Sequence, residues 1–173
     1  MSNSLPDLSA IRLLLLDVDG VLTDGRVLLG AGDEELKAFH TRDGAGLALW
    51  RDAGYATTFV TGRGGAAVRR RARELRIEPI WEHVRDKRVA WAEALAHFDV
   101  TAEQVAVMGD DLPDLALLGL AGFSACPADA ARDVRERVHA VMPSPGGHGA
   151  VRDLVEHILR GRGEWDGLLE RLL

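Results

Sequence analysis

Cysteine is nearly absent from this chain. Its single thiol, Cys126, has no partner for an internal disulfide and no second thiol with which to build a zinc site, so it reads as a small buried residue beside Pro127. Long apolar runs are missing too. None approaches the roughly 18 to 20 residues that a membrane-spanning helix requires, and the opening MSNSLPDLSA lacks the charged and apolar regions of a signal peptide. The expectation is a cytoplasmic protein with no membrane contact. Nor is there an excess of positive charge: 21 Lys and Arg face 27 Asp and Glu, and the net charge of −6 argues against nucleic acid as a partner. His83, His97, His139, His148 and His157 lack metal-ligand spacing and read as structural or solvent-facing. His148 lies in PGGHGA, which has neither a Walker lysine nor a strand-loop-helix order and so reads as a connecting loop.

What remains is a chain of 173 residues, 47% hydrophobic, long enough for one sizeable core and short for two. A single domain over 1–173 is expected. Apolar runs at Ile11–Leu16, Tyr55–Val60 and Val105–Met108 end in acidic residues, Thr-Gly, or Gly-Asp-Asp, the pattern of strands buried on both faces of a parallel sheet. Shorter strand candidates are Ile80-Trp81, Gly122–Ala125 and Ala140–Met142. Helical stretches fill the intervals at Gly46–Ala53, Ala66–Arg76, Lys87–Phe98, Leu112–Leu118, Ala130–Arg137 and Ala150–Arg160. Thr101 and Gln104 have capping-box spacing just before the third long strand.

This alternation predicts a three-layer α/β domain with a central parallel sheet and right-handed crossovers. One segment breaks the rhythm. Between Asp24 and Asp43, the runs Val27–Leu29 and Leu36–His40 flank the turn-rich Gly30-Ala31-Gly32-Asp33, which predicts a β-hairpin inserted after the first strand. The tail over 161–173 is amphiphilic and too short to fold alone.

Periodicity also sorts the arginines. On a helix, Val68, Ala72 and Leu75 form the buried stripe, so Arg69, Arg70, Arg73 and Arg76 face solvent. Arg71 borders that stripe and stands apart.

The polar residues cluster at strand carboxyl ends, where open parallel sheets bind ligands. Asp17 and Asp19 follow the first strand, Thr61 the second, and Asp110, Asp111 and Asp114 the third. Carboxylates gathered in this way repel one another unless a hard cation with oxygen ligands relieves the cost, and magnesium suits that role. In Asp-x-Asp-Gly, alternate side chains point the same way, so both acids reach one bound group. Asp17 is placed to attack phosphorus, and Asp19 to protonate the leaving oxygen and then deprotonate water. Thr61 offers a hydroxyl and Lys87 a point charge to the phosphoryl oxygens.

In these residues the chain resembles a known family. LLLLDVDGVLTDG, FVTGR, Lys87 and VMGDDLPD are similar, in order, to the four motifs of haloacid dehalogenase superfamily phosphatases. GDEELKAFHTRDGAG, the arginine-bearing helix after TGR, and PSPGGHGAVRDL narrow the resemblance to the 3-deoxy-D-manno-octulosonate 8-phosphate phosphatase family. The resemblance implies a Rossmann-like haloacid dehalogenase fold with a small hairpin in place of a large cap. It implies Asp17 as nucleophile and metal ligand, Asp19 as acid/base and backbone metal ligand, and Asp110 as the remaining protein ligand of Mg2+. Thr61 and Lys87 would hold the phosphoryl group. His40, Thr41, Arg42, Asp43 and Gly44 match the family's substrate loop, and Arg63 and Arg71 its sugar-acid contacts. Asp111 and Asp114 would orient Lys87 or metal-bound water, in either order. A homotetramer is implied in which the hairpin borders a neighbour's site, and the tail could also reach a neighbour.

One departure affects the substrate. Two positions after RDGAG the family carries a basic residue, whereas this chain has Ala48 after Leu47. A missing charge-assisted contact weakens binding by roughly 1.5 to 3 kcal/mol unless another arginine, Arg42 or Arg71, replaces it. The expected substrate is a phosphorylated sugar acid, the octulosonate 8-phosphate of lipopolysaccharide precursor synthesis first and a nonulosonate 9-phosphate second. A noncatalytic accessory subunit with the same fold is the reading from another class, and the presence of every motif residue speaks against it.

Overall fold

In the computed structural model, residues 6–32, 34–171 and 173 are described. Asp33 of the predicted turn, Leu172 of the tail and the first five residues lie outside the described residues. The strands of the main sheet are β1 (Leu13–Leu16), β4 (Ala56–Phe59), β5 (Val105–Met108), β6 (Phe123–Cys126) and β7 (Ala140–Val141). They run parallel in the order β4-β1-β5-β6-β7. The helices are α1 (Thr41–Asp52), α2 (Ala66–Leu75), α3 (Lys87–Phe98), α4 (Leu115–Leu118), α5 (Arg132–Arg135), α6 (Ala150–Gly161) and α7 (Trp165–Glu170).

Period-two side chains make both faces of the sheet apolar. Leu14 and Leu16 of β1, with Ala106 and Met108 of β5, face a core completed by Trp50 of α1, Val68 of α2 and Leu154 of α6. Leu13 and Leu15, with Val105 and Val107, face the opposite core with Trp91 of α3, Leu117 of α4 and Val134 of α5. The result is the three-layer α/β arrangement that the alternating pattern predicts. From β1 the chain goes out to β4 on one side, then crosses to β5 on the other. A crevice therefore opens at the carboxyl ends of β1 and β5, the switch point of the sheet.

The hairpin is present but short. β2 (Leu28–Leu29) pairs antiparallel with β3 (Glu35–Leu36), so the predicted strand over Leu36–His40 starts one residue earlier and ends at Leu36. Residues 37–40 leave the ladder because Lys37 and Phe39 turn toward the body of the protein, as their contacts below show. Ile80-Trp81 contributes only an isolated bridge from Trp81 to Val60. The helix predicted over Ala130–Arg137 contracts to Arg132–Arg135.

Helix α1 begins five residues before the predicted Gly46. Its first turn, Thr41-Arg42-Asp43-Gly44, has no apolar period to betray it. Instead His40 caps the helix, its Nδ1 accepting from the Arg42 N–H at 3.1 Å. At the other end of the chain, α7 folds back onto its own subunit: Trp165 and Leu168 are each only 4% exposed. Those two side chains join this chain's own core, while Leu169 and Leu173 of the same tail remain exposed.

Candidate active site

The β1–β5 pairing continues one residue past the strands, where the Asp17 N–H donates to the Met108 carbonyl at 3.0 Å. Asp17 is thereby fixed beside the loop that follows β5. Gly20 then turns the chain with φ +86°, and a Cβ there would sit 2.0 Å from Asp110 Oδ2. Only glycine lets the two acidic loops approach this closely. The PGGHGA segment buttresses the same turn: Gly147 N–H donates to the Val21 carbonyl at 2.9 Å, and a Cβ on Gly146 would lie 1.9 Å from the Gly20 carbonyl oxygen. Composition alone identifies this stretch as a connecting loop. Its contacts make it a support for the catalytic turn.

Asp17, Asp19, Thr61, Arg63, Lys87, Asp110, Asp111 and Asp114 line one crevice of about 450 Å³. At its floor, Lys87 Nζ lies 2.7 Å from Asp17 Oδ1 and 2.5 Å from Asp114 Oδ1. Burial by itself would lower the Lys87 pKa, but the charges of Asp17 and Asp114 outweigh it and hold the ammonium above its ordinary value. The remaining oxygen of Asp114 accepts from the N–H groups of Asp110 and Asp111 at 3.0 and 3.3 Å. Of Asp111 and Asp114, Asp114 is therefore the one in contact with Lys87. Asp111 is exposed and caps the short turn that begins at Leu112.

Asp17, Asp110 and Asp114 thus share a single ammonium, Lys87, and the excess of negative charge falls on Asp17 and Asp110. Burial, and then the negative charge of Asp114, push Asp17 up to about 7 against the pull of Lys87. Burial, followed by Asp17, Asp114 and Asp111, pushes Asp110 up to about 8. Oxygens of Asp17, Asp110 and Asp114 lie within 4.8 Å of one another. Three carboxylates at that separation share the one ammonium of Lys87, and the negative charge left over fits a divalent cation.

Sequence reasoning missed Lys37. It leaves the hairpin just after β3 and forms an ion pair with Asp19 Oδ1, with Glu35 Oε1 2.8 Å away. The other oxygen of Glu35 meets Arg63 Nη2 at 2.9 Å. These contacts hold the hairpin over its own subunit's crevice and separate it from a larger cavity of about 930 Å³. That cavity is walled by the hairpin and α2, and includes Phe39, Arg70 and Arg71.

Arg71 is only 18% exposed in its side chain, against 78% for Arg70. This matches the position that periodicity assigns it. Its guanidinium lies 5.6 Å from the Phe39 ring and donates to the His40 carbonyl at 3.3 Å. A Cβ on Gly44 would come within 2.4 Å of Nη2, so the Asp-Gly of α1's first turn makes room for it. Thr41 and Arg42 are exposed on that turn. Asp43 is 0% exposed, lines neither cavity, and accepts the Arg152 N–H of α6 at 2.9 Å. His40 to Gly44 therefore form a helix start packed behind the larger cavity, not a loop. The other histidines are exposed, as expected.

A family profile described as haloacid dehalogenase-like hydrolase matches residues 80–154. The 3-deoxy-D-manno-octulosonate 8-phosphate phosphatase of Yersinia pestis is 39% identical over 157 residues, covering 91% of this chain and 84% of that protein. The chain belongs to the haloacid dehalogenase-like hydrolases. Among solved hydrolases of similar fold, the Moraxella catarrhalis 3-deoxy-D-manno-octulosonate 8-phosphate phosphatase, in complex with magnesium, phosphate and KDO, superposes with a TM-score of 0.93 at 33% identity, covering 96% of each chain. The cobalt-bound deoxy-D-mannose-octulosonate 8-phosphate phosphatase of Haemophilus influenzae gives 0.88 at 37% identity, covering 91% of this chain and 92% of that one. As a hydrolase of this family, the chain carries an acidic cluster that could hold a metal ion, and these two solved relatives contain one, magnesium in the first and cobalt in the second.

Proposed function

We propose that this enzyme is a magnesium-dependent phosphatase that releases phosphate from 3-deoxy-D-manno-octulosonate 8-phosphate, a step of lipopolysaccharide precursor synthesis. The observation that carries the reading is the Asp17–Lys87–Asp114 ion triad beside Asp110, with a larger cavity bearing Arg70 and Arg71 on the far side of the Lys37–Glu35–Arg63 contacts. Magnesium, held by Asp17, Asp110 and the Asp19 carbonyl, would supply the positive charge that the clustered acids and phosphoryl oxygens need.

Asp17 attacks phosphorus in line, forming a bond from its free oxygen while the ester oxygen departs, and Asp19 gives that oxygen a proton. Water then displaces Asp17 from phosphorus, returning a proton to Asp19. Lys87 and Thr61 hold the phosphoryl oxygens, with Lys87 fixed in place by Asp114. Arg63 stands at the boundary of the two cavities. In the larger cavity Arg71 replaces the cation absent at Ala48: it lies against Gly44, one helical turn before Ala48, and its Nε is buried with no hydrogen-bond partner among the described residues. His40, Thr41 and Arg42 border the sugar end, while Asp43 and Gly44 act by fixing α6 and seating Arg71. Asp111 is left to orient metal-bound water.

The same reading includes a cytoplasmic homotetramer in which the hairpin borders a neighbour's site. Supporting it, Leu29 and Leu36 of the hairpin are 76% and 58% exposed, a costly display for apolar side chains in a lone subunit. Phosphate release from a panel of sugar-acid and neutral sugar phosphates, with magnesium and with chelator, tests the function. Preference for the octulosonate ester, lost with chelator and in Asp17→Asn, is expected. Equal turnover of acidic and neutral sugars would remove the substrate assignment, and activity surviving in Asp17→Asn would remove the nucleophile.

A further inference from the structure

Lys37 has no place in the mechanism so far, yet its side chain is only 2% exposed and its ammonium contacts Asp19. A buried ammonium is costly unless acids compensate it, and here Asp19 and Glu35 do so together. Glu35 is itself held by Arg63, which follows Thr61 by two residues. The chain of contacts Asp19–Lys37–Glu35–Arg63 thus runs from the acid/base to the Thr-Gly-Arg turn at the opposite lip of the crevice. Two elements distant in sequence grip the ammonium, and the ammonium grips one oxygen of Asp19.

The consequence falls on the other oxygen. Asp19 Oδ2 is buried and has no hydrogen-bond partner among the described residues. A carboxyl group turns freely about its Cβ–Cγ bond unless one oxygen is held, and holding Oδ1 sets the direction of Oδ2. We propose that Lys37 is a positioning residue for Asp19, fixing Oδ1 so that Oδ2 exchanges the proton with the leaving ester oxygen and then with water. Lys37 itself neither gains nor loses a proton: the proton leaves Asp19 for the departing oxygen as the P–O bond breaks, and returns from water as the second P–O bond forms. The hairpin is then part of the proton-transfer machinery as well as a wall of the substrate cavity. This inference rests on the phosphatase reading but not on which sugar is bound.

Leaving-group dependence tests it. A sugar alkoxide needs a proton to leave, whereas 4-nitrophenolate does not, so a misplaced acid harms alkyl esters selectively. Lys37→Met is expected to lower kcat on the alkyl phosphate that the wild type turns over best by about 10- to 100-fold, a part of the roughly 10² to 10⁴ that a positioned general acid contributes. On 4-nitrophenyl phosphate the loss should stay within about threefold, because general acid catalysis contributes little there. Lys37→Arg should restore part of the alkyl activity, and in an Asp19→Asn background Lys37→Met should add no further alkyl-selective loss. If Lys37→Met does not fold, Glu35→Gln, which frees one side of the ammonium, is measured in the same way. Equal losses on both ester types, or full alkyl turnover, would overturn the proposal. A wild-type preference for some other alkyl phosphate would defeat only the octulosonate assignment, because the comparison uses whichever alkyl ester is turned over best.

Discussion

Lys87 and Asp114 meet at 2.5 Å in the buried floor of the crevice, and the same ammonium reaches Asp17. Asp114 thereby sets where the cation stands without needing to touch substrate. Lys87→Met should lower kcat by about 10² to 10³, the usual loss when one oriented electrostatic contact to a phosphoryl-like transition state is removed. Asp114→Asn keeps the shape but weakens the grip, and should cost less. Steady-state turnover of both variants checks this ranking. Asp114→Asn losing as much as Lys87→Met would mean that Asp114 does more than aim the lysine.

The raised acids make stability depend on pH and metal together. From an ordinary value of 3.8, Asp17 rises to about 7 and Asp110 to about 8 in the folded, metal-free protein. Between those limits the folded state holds more protons than the unfolded one, so stability is fully present below about pH 4 in this term and is lost as pH climbs toward about 8. Magnesium must displace the same protons, so its binding tightens over the same window. Melting temperatures with chelator should fall as pH rises from 6 to 8.5 for this reason, and the increase on adding magnesium should be larger at 8.5 than at 6. Equal magnesium-induced shifts at the two pH values would contradict the assignment of the raised acids to the metal-binding pair.

How much of this was legible depends on how strongly each residue is constrained locally. Strand β5 and helix α3 fall where the pattern puts them, because burial on both faces of the sheet, or a sustained helical period, marks every residue. Arg71 was separable from its neighbours by helical spacing alone. The start of α1 was not, since its first turn owes its shape to the His40 cap and to Arg71, which reaches the His40 carbonyl across 31 residues and packs against Gly44. Lys37 escaped for a similar reason: it follows a two-residue strand with no period to read. The available signal was Glu35-x-Lys37, alternate residues that point the same way and so can share one charged site.

Arg162 closes the molecule at the edge away from the crevice. Its Nη1 donates to the carbonyls of Leu8, Ser9 and Ile11 at 3.1, 2.6 and 3.0 Å, while Nε meets Glu164 at 2.9 Å and the other terminal nitrogen reaches the Tyr55 hydroxyl. One guanidinium thus ties the entry to β1 and the start of α7 to the end of α1. Arg162→Ala leaves carbonyls without a donor and frees the Trp165 helix behind them, so a loss of about 2 to 4 kcal/mol is expected from the unsatisfied acceptors and loosened packing. Because none of these groups lines the crevice, kcat at 25 °C should change by less than about twofold, as for substitutions distant from a site. Chemical denaturation paired with turnover separates the two effects. A large fall in kcat with little change in stability would show that the tail serves catalysis, as a tail reaching a neighbour's site would.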